Sequence, residues 1–447
     1  MTDPAEARPA SADQPSAAAT AAAGAAATAT TAATASTAAT TGAPAPGRPA
    51  PEQRRVLTVL VLAQVLSGAG LAAGITVGAL LAEDMLGTTS LAGLPSVLFT
   101  IGSAGAAVVV GRVSQRFGRR PGLVLGYAAG GVGALGVLVA AVMTSVPLLF
   151  GALLVYGAGT ATSLQARYAG ADLATPNRKA RAVSTVLVAT TLGAVAGPNL
   201  VTVTGTLAEQ WGIPRLAGPF GLAAVAYGAA ALVLFVLLRP DPLLLSRAAE
   251  PVADGGAAPV ALPARLPSGV RLGAAVMVVT QVVMVAVMTM TPVHLQHLGH
   301  GTAAIGVVIA VHVAAMFLPS PLSGWLVDRF GARLVAGLAA ATLLSAGLVS
   351  GLAPGGAVWA LAVGLGLLGF GWSLGLVSGT TLLSRDLPAH GRARVQGNVD
   401  VLVALAGAGG AGLSGVVVAG ASYTALALGG GILAVGLLPF VLRHKDR

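Results

Sequence analysis

Gly111-Arg112-Val113-Ser114-Gln115-Arg116-Phe117-Gly118-Arg119 returns later in the chain as Gly324-Trp325-Leu326-Val327-Asp328-Arg329-Phe330-Gly331-Ala332, an offset of 324 − 111 = 213 positions. Further matches keep this register: Asp172-Leu173 with Asp386-Leu387 (386 − 172 = 214) and Arg181 with Arg394 (394 − 181 = 213). Independent matches at nearly one offset in a chain of 447 residues point to duplication of a unit that fills about half of it.

The flanking sequence says what that unit is. The chain is 55% hydrophobic and only 9% charged, whereas about a quarter of a soluble chain is charged. Such a composition leaves most of the surface facing lipid. From Val56 onward, apolar runs alternate with short polar breaks, and each is long enough to cross a hydrocarbon core of ~30 Å as a helix. The first six are Val56 to Ala82, Leu91 to Gly111, Gly122 to Met143, Pro147 to Gly170, Ala182 to Leu207 and Gly218 to Leu238. After a hydrophilic stretch from Arg239 to Val270, six more follow: Arg271 to Pro292, Thr302 to Val327, Leu334 to Gly351, Gly356 to Leu383, Val395 to Gly420 and Tyr423 to Leu442. The repeated loop stands after the second and the eighth, so the duplicated unit is a six-span bundle. An even number of spans per unit makes the repeats parallel, an arrangement used by transporters whose halves rock about a central site. The expected organisation is an all-α polytopic membrane protein: a disordered Ala/Thr/Pro-rich tail over 1–50, an N-terminal bundle over 56–238, a linker over 239–270, a C-terminal bundle over 271–442 and a short tail over 443–447.

Charge sets the orientation. Arg54 and Arg55 before the first span, Arg112, Arg116, Arg119 and Arg120 after the second, Arg178, Lys179 and Arg181 after the fourth, and their counterparts in the second half all fall on one side, while the opposite loops hold essentially Arg215 alone. The positive-inside rule then predicts both termini in the cytoplasm of a cell membrane, and it accounts for the net charge of +10 without nucleic acid. The 62 glycines and the low aromatic share of 4% suit helices that approach through small side chains. With no cysteine, disulfides, thiolate metal sites and a cysteine nucleophile are excluded. No P-loop, His-Glu-x-x-His or nucleophile–base constellation is found, which argues against an enzyme and against direct ATP hydrolysis.

The duplicated loop resembles the signature of the major facilitator superfamily, and the resemblance extends from about Val56 to Leu442. It implies twelve helices in two pseudo-repeated six-helix bundles and transport by alternating access. In the fifth span, Gly193-Ala-Val-Ala-Gly197-Pro198 is similar to the motif carried by the proton-driven exporters of that superfamily, which implies efflux. Gln115 stands where the pattern has an Asp, so the ion pair expected at the first gate becomes a neutral hydrogen bond; Asp328 keeps the acid in the second copy. Asn199 and Leu200 replace the two glycines that usually follow the exporter motif, and the first span has no carboxylate before Glu83.

Several residues are candidates for chemistry. Arg112, Arg116 and Arg119 with Asp172 are expected to form a charged latch at the cytoplasmic face, the alternative being a purely topogenic cluster. Gly111 and Gly118 favour the latch, since they permit a tight turn against a neighbouring helix. Gly324, Asp328, Arg329, Gly331, Asp386, Arg181 and Arg394 are the corresponding gate positions. Asp400 lies inside the eleventh span, where an ionisable group is costly; it is either a proton or substrate site or an interfacial acid paired with Arg394 or Arg385. Arg167, two residues after Gln165 near the inner end of the fourth span, either faces the pathway or snorkels to the interface. His312 is either a proton carrier or a hydrogen-bonded structural residue. His294, with His297 and His300, gathers at the outer end of the seventh span, where a metal is conceivable but not expected. The resulting expectation is a monomeric, proton-coupled exporter of small amphipathic compounds without cofactor, the alternative being a proton-coupled uptake symporter for a nutrient or metal-related solute.

Overall fold

In a bilayer each backbone N–H and C=O must be satisfied within its own segment, which leaves helices as the spanning solution for runs like these. The computed structural model describes residues 51–86, 94–249, 266–354, 357–385 and 387–443. The expected tail over 1–50, residues 250–265 of the linker, the expected span starts Leu91 and Gly356, Asp386 and residues 444–447 lie outside the described residues. Within them, the first half builds α1 (Pro51–Leu86), α2 (Leu94–Phe117), α3 (Arg119–Val142), α4 (Val146–Ala171), α5 (Lys179–Gln210) and α6 (Gly218–Leu237). A short helix α7 (Pro242–Ala248) follows, and then α8 (Ser268–His297), α9 (Thr302–Phe317), α10 (Ser320–Phe330), α11 (Ala332–Gly351), α12 (Val358–Arg385), α13 (Ala389–Gly420), α14 (Tyr423–Val435) and α15 (Leu438–Arg443). Ten segments among the described residues are long and apolar enough to cross a membrane. With α1 and α5, which hold the first and fifth expected spans, they make the twelve-helix arrangement.

Proline marks two places where the helices differ from the expected runs. The eighth span is divided between α9 and α10 at Leu318-Pro319, where proline supplies no N–H to the ladder. Pro292 instead stays inside α8, which continues to His297. The linker holds one helix not foreseen: Asp241 caps α7 by accepting from the N–H groups of Leu243 (3.0 Å) and Leu244 (3.2 Å), the usual work of an N-cap acid.

One buried core gathers residues from Val56 to Leu238 and is centred on Tyr127, Tyr156, Phe220 and Tyr227. A second gathers residues of α8 to α14 together with Ala171, Ala180, Val183 and Leu187 from the first half. The halves meet chiefly along α2 against α13 and α5 against α10. At both places glycine sets the spacing. A Cβ on Gly111 would stand 3.0 Å from the carbonyl oxygen of Ala393 and 3.0 Å from Cα of Gly397; one on Gly324 would stand 2.3 Å from Ser184 Oγ and 2.8 Å from the carbonyl oxygen of Ala180.

Candidate functional site

A cavity of about 250 Å³ lies between the halves, walled by α2 and α4 on one side and by α8, α12 and α13 on the other. Its lining on α2 runs from Phe99 to Ala107, before Gly111, and on α13 from Asp400 to Ala411, after Gly397. The cavity therefore begins where the α2–α13 contact ends, on the far side from the arginine-rich loops. The end carrying those loops is called the basic end below.

Arg167 and Asp400 form the floor. Arg167 Nη2 donates to Asp400 Oδ1 at 2.7 Å, an ion pair that joins α4 of one half to α13 of the other. Arg167 Nε donates to Thr380 Oγ1 on α12 at 3.0 Å, and Nη2 also donates to the Tyr168 hydroxyl at 2.9 Å. Arg167 Nη1 donates to the Leu164 carbonyl, and the guanidinium lies 4.3 Å from the centre of the Tyr168 ring. Tyr168 in turn donates to Asp400 Oδ1 at 3.0 Å. Arg167 is 1% and Asp400 8% exposed, so this arginine does not reach toward the interface, and the acid takes Arg167 rather than Arg394 or Arg385 as its partner. Among the described residues, Asp400 Oδ2 is buried with no hydrogen-bond partner. Buried charges of this kind persist only when paired, and one stranded by loss of its partner costs ~3–5 kcal/mol.

Beneath the floor, the repeated loop builds a second layer. Arg119 donates to both oxygens of Asp172, Nε to Oδ2 at 2.7 Å and Nη2 to Oδ1 at 3.4 Å, and Nη2 crosses to Gln396 Oε1 on α13 at 2.6 Å. Arg392 adds Nη1 3.6 Å from Asp172 Oδ1. Of the three latch arginines, Arg119 is the one that reaches Asp172; Arg112 and Arg116 are exposed, and Arg116 stacks over Phe117. Gln115 makes the neutral bonds its amide allows: Nε2 donates to the His390 carbonyl and Oε1 accepts from the Ala393 N–H at 3.1 Å. Asp328 receives the N–H groups of Ala180 and Arg181, each at 3.1 Å, and the Arg181 side chain at 3.5 Å. Gly118 and Gly331 turn the loop with φ of 102° and 88°, values that favour glycine. Arg329 and Arg394 are exposed.

The remaining candidates fall elsewhere. Gln165 donates to the Ala107 carbonyl at 2.8 Å, within the first half. His312 is fully buried between α9 and α12, with Nδ1 2.9 Å from the Leu365 carbonyl, and is not among the cavity-lining residues. His294 stacks on Tyr423 with ring centres 4.2 Å apart, and among the described residues no group of three metal-ligating side chains gathers. Gly193 is pressed against α1, where an added Cβ would meet the Val65 carbonyl oxygen at 2.1 Å; α5 stays helical through 198, while the side chains of Gly197 and Pro198 lie outside the described residues.

Sequence reasoning missed three participants. Arg392 reads as one more loop charge of the second half, Thr380 carries no signal as one threonine among many, and Trp372, whose Nε1 donates to Gln281 Oε1 at 2.8 Å, looks like any apolar residue of its span. The repeat register would have flagged Thr380, which stands 213 positions from Arg167 and so is its counterpart in the other half.

The model of the Major Facilitator Superfamily matches residues 60–411. The chain belongs to this superfamily. It is 54% identical over 398 residues to the uncharacterized MFS-type transporter YdeG of Bacillus subtilis, covering 88% of this chain and 93% of that protein. It is 29% identical over 358 residues to the riboflavin transporter RfnT of Brucella anthropi, covering 78% and 85% of the two. Among solved structures, the human organic anion transporter MFSD10 superposes with a TM-score of 0.70 at 17% identity, covering 88% of this chain and all of that one. The proton:xylose symporter XylE gives 0.68 at 17% identity, covering 88% and 96%. At such identities these two support the fold alone. As a member of the superfamily the chain is a multi-pass membrane transporter of small molecules and not an enzyme.

Proposed function

We propose that this transporter is a proton-coupled exporter of small amphipathic compounds, working as a monomer in the cell membrane with both termini in the cytoplasm. The observation that carries the reading is Asp400: an acid on one half, at the floor of the cavity, bound to Arg167 of the other half through one oxygen while the second oxygen has no partner among the described residues. A proton on Asp400 removes the charge that holds Arg167, and so weakens a tie between the halves at the point about which they would rock. Taking the basic end as cytoplasmic, the Gln115, Arg119–Asp172 and Asp328 contacts are the closed inner gate, and the cavity is the outward-facing site. The units that move are the bundles over 56–238 and 271–442. Export is supported by the Gly193–Pro198 stretch, whose Gly193 packs α5 onto α1 more closely than any side chain permits. His312, bonded to a carbonyl of its own half, is given a structural role.

A second reading, uptake of a nutrient by symport, draws on the relative named as a riboflavin transporter. Energised inside-out vesicles separate the two. A quenched pH dye that recovers on addition of a candidate solute, with recovery abolished by Asp400→Asn and retained by His312→Ala, is the expected result. Absence of any response, together with gradient-driven accumulation in right-side-out vesicles, would sink export and leave uptake; recovery that survives Asp400→Asn would remove Asp400 as the proton site.

A further inference from the structure

The cavity's own chemistry narrows the solute. Among the described lining residues only Arg167 and Asp400 are ionisable, and they are paired with each other, so the described lining carries no net charge. A permanently charged ligand would add an unbalanced charge to a largely apolar enclosure. The same pair presents one unmet need. Asp400 Oδ1 accepts from Arg167 and from Tyr168, whereas Oδ2 is buried and has no donor among the described residues. A carboxylate oxygen in that position rewards an N–H or O–H group with a charge-assisted hydrogen bond.

Aromatic residues complete the description. Phe99 lines the cavity from the first half and Trp372 from the second. The Trp372 ring is fixed twice, by its hydrogen bond to Gln281 and by Phe317, which packs edge-on at a 5.7 Å centroid distance and 75° between planes. A rigid indole stacks on a flat ring with little loss of side-chain freedom.

We infer that the cavity takes a neutral, planar aromatic solute whose N–H or O–H donor completes Asp400 Oδ2, with Trp372 as the stacking platform. The inference rests on the cavity being the transport site, but it concerns binding and needs no gradient. The test is equilibrium dialysis of radiolabelled theophylline against the purified full-length protein near neutral pH, with caffeine and the 1-methylnicotinamide cation as competitors. Theophylline and caffeine share one flat ring system and differ by the methyl group that replaces the ring N–H donor. Theophylline is expected to bind, caffeine to compete about tenfold less well or worse, as the loss of one hydrogen bond to a charged acceptor implies, and the cation not to compete. In a variant with Trp211, Trp325 and Trp359 replaced by Phe, theophylline should quench the remaining Trp372 emission. Asp400→Asn should erase the theophylline–caffeine difference, and Trp372→Ala should weaken binding while keeping it. The wild-type comparison needs no variant, so a D400N protein that fails to fold leaves the test standing. Equal competition by caffeine, preference for the cation, or no theophylline binding at millimolar concentration would overturn the inference. Proton movement driven by a cationic solute would overturn it while leaving the transport reading intact; theophylline binding without proton coupling would do the reverse.

Discussion

The two copies of the repeated loop close the same end of the molecule by the same backbone contact and by different polar chemistry. Gly111 faces Ala393 and Gly397, and Gly324 faces Ala180 and Ser184; these partners are themselves related by the repeat, since 393 − 180 = 213 and 397 − 184 = 213. The first copy then places a neutral Gln115 on the start of α13 and puts its charge one layer deeper, in the buried Arg119–Asp172 pair. The second has Ala332 where the first has Arg119, and keeps its charge in Asp328, set on the positive end of α5. Duplication has preserved the close approach of helices, which depends on a missing side chain, while the two copies place their charges in different layers.

The comparison can be broken most severely at the deeper layer. Asp172→Asn leaves Arg119 buried beside a neutral amide and should destabilise the sealed state by ~3–5 kcal/mol, read as a lower unfolding temperature. Because the chain has no cysteine of its own, a Cys at Ala404 in the cavity reports the same change, its labelling by an impermeant thiol reagent from the basic end rising when the seal opens. Gln115→Glu tests whether the first loop simply lacks a charge. The substitution removes the donor to the His390 carbonyl and sets a carboxylate against it, so a loss of ~1–3 kcal/mol is expected despite the nearby helix start; a gain in stability would mean that the two loops obey one rule after all. Asp328→Asn should cost up to ~2 kcal/mol by removing charge from the α5 terminus, and its thermal shift should be smaller than that of Asp172→Asn. Arg181→Ala sharpens the contrast from the other side. Its side chain is 49% exposed, so its loss should change stability by less than ~1 kcal/mol, leaving the backbone donors as the main partners of Asp328; an effect as large as that of Asp328→Asn would show the ion pair to be the stronger contact.

Much of this was legible beforehand, and the particulars show why. Apolar runs of spanning length and a repeated loop point to helices in two related sets because lipid admits few alternatives; which helices pair was not legible there. The resemblance implied a neutral bond at Gln115, because the family pattern has an acid there; of the three arginines expected beside Asp172, nothing in the sequence singled out Arg119. Asp400 and Arg167 were each legible as anomalies of depth, since charge is costly there. Their union was not, because 233 residues separate them and nothing local in either span names the other.

The sequence by itself determined the class of protein, the spans, the parallel repeat and the residues too polar for their surroundings, since these depend on composition and on periods read along one chain. Tertiary structure decided which of those residues meet. It drew Arg167 to Asp400 and Thr380, sent His312 to a carbonyl of its own half, kept Arg112 and Arg116 in the open, and left Asp400 Oδ2 without a donor among the described residues. A buried charge must find a partner somewhere; which partner it finds depends on how two bundles approach across an interface, and that distance is set by packing far along the chain from either residue.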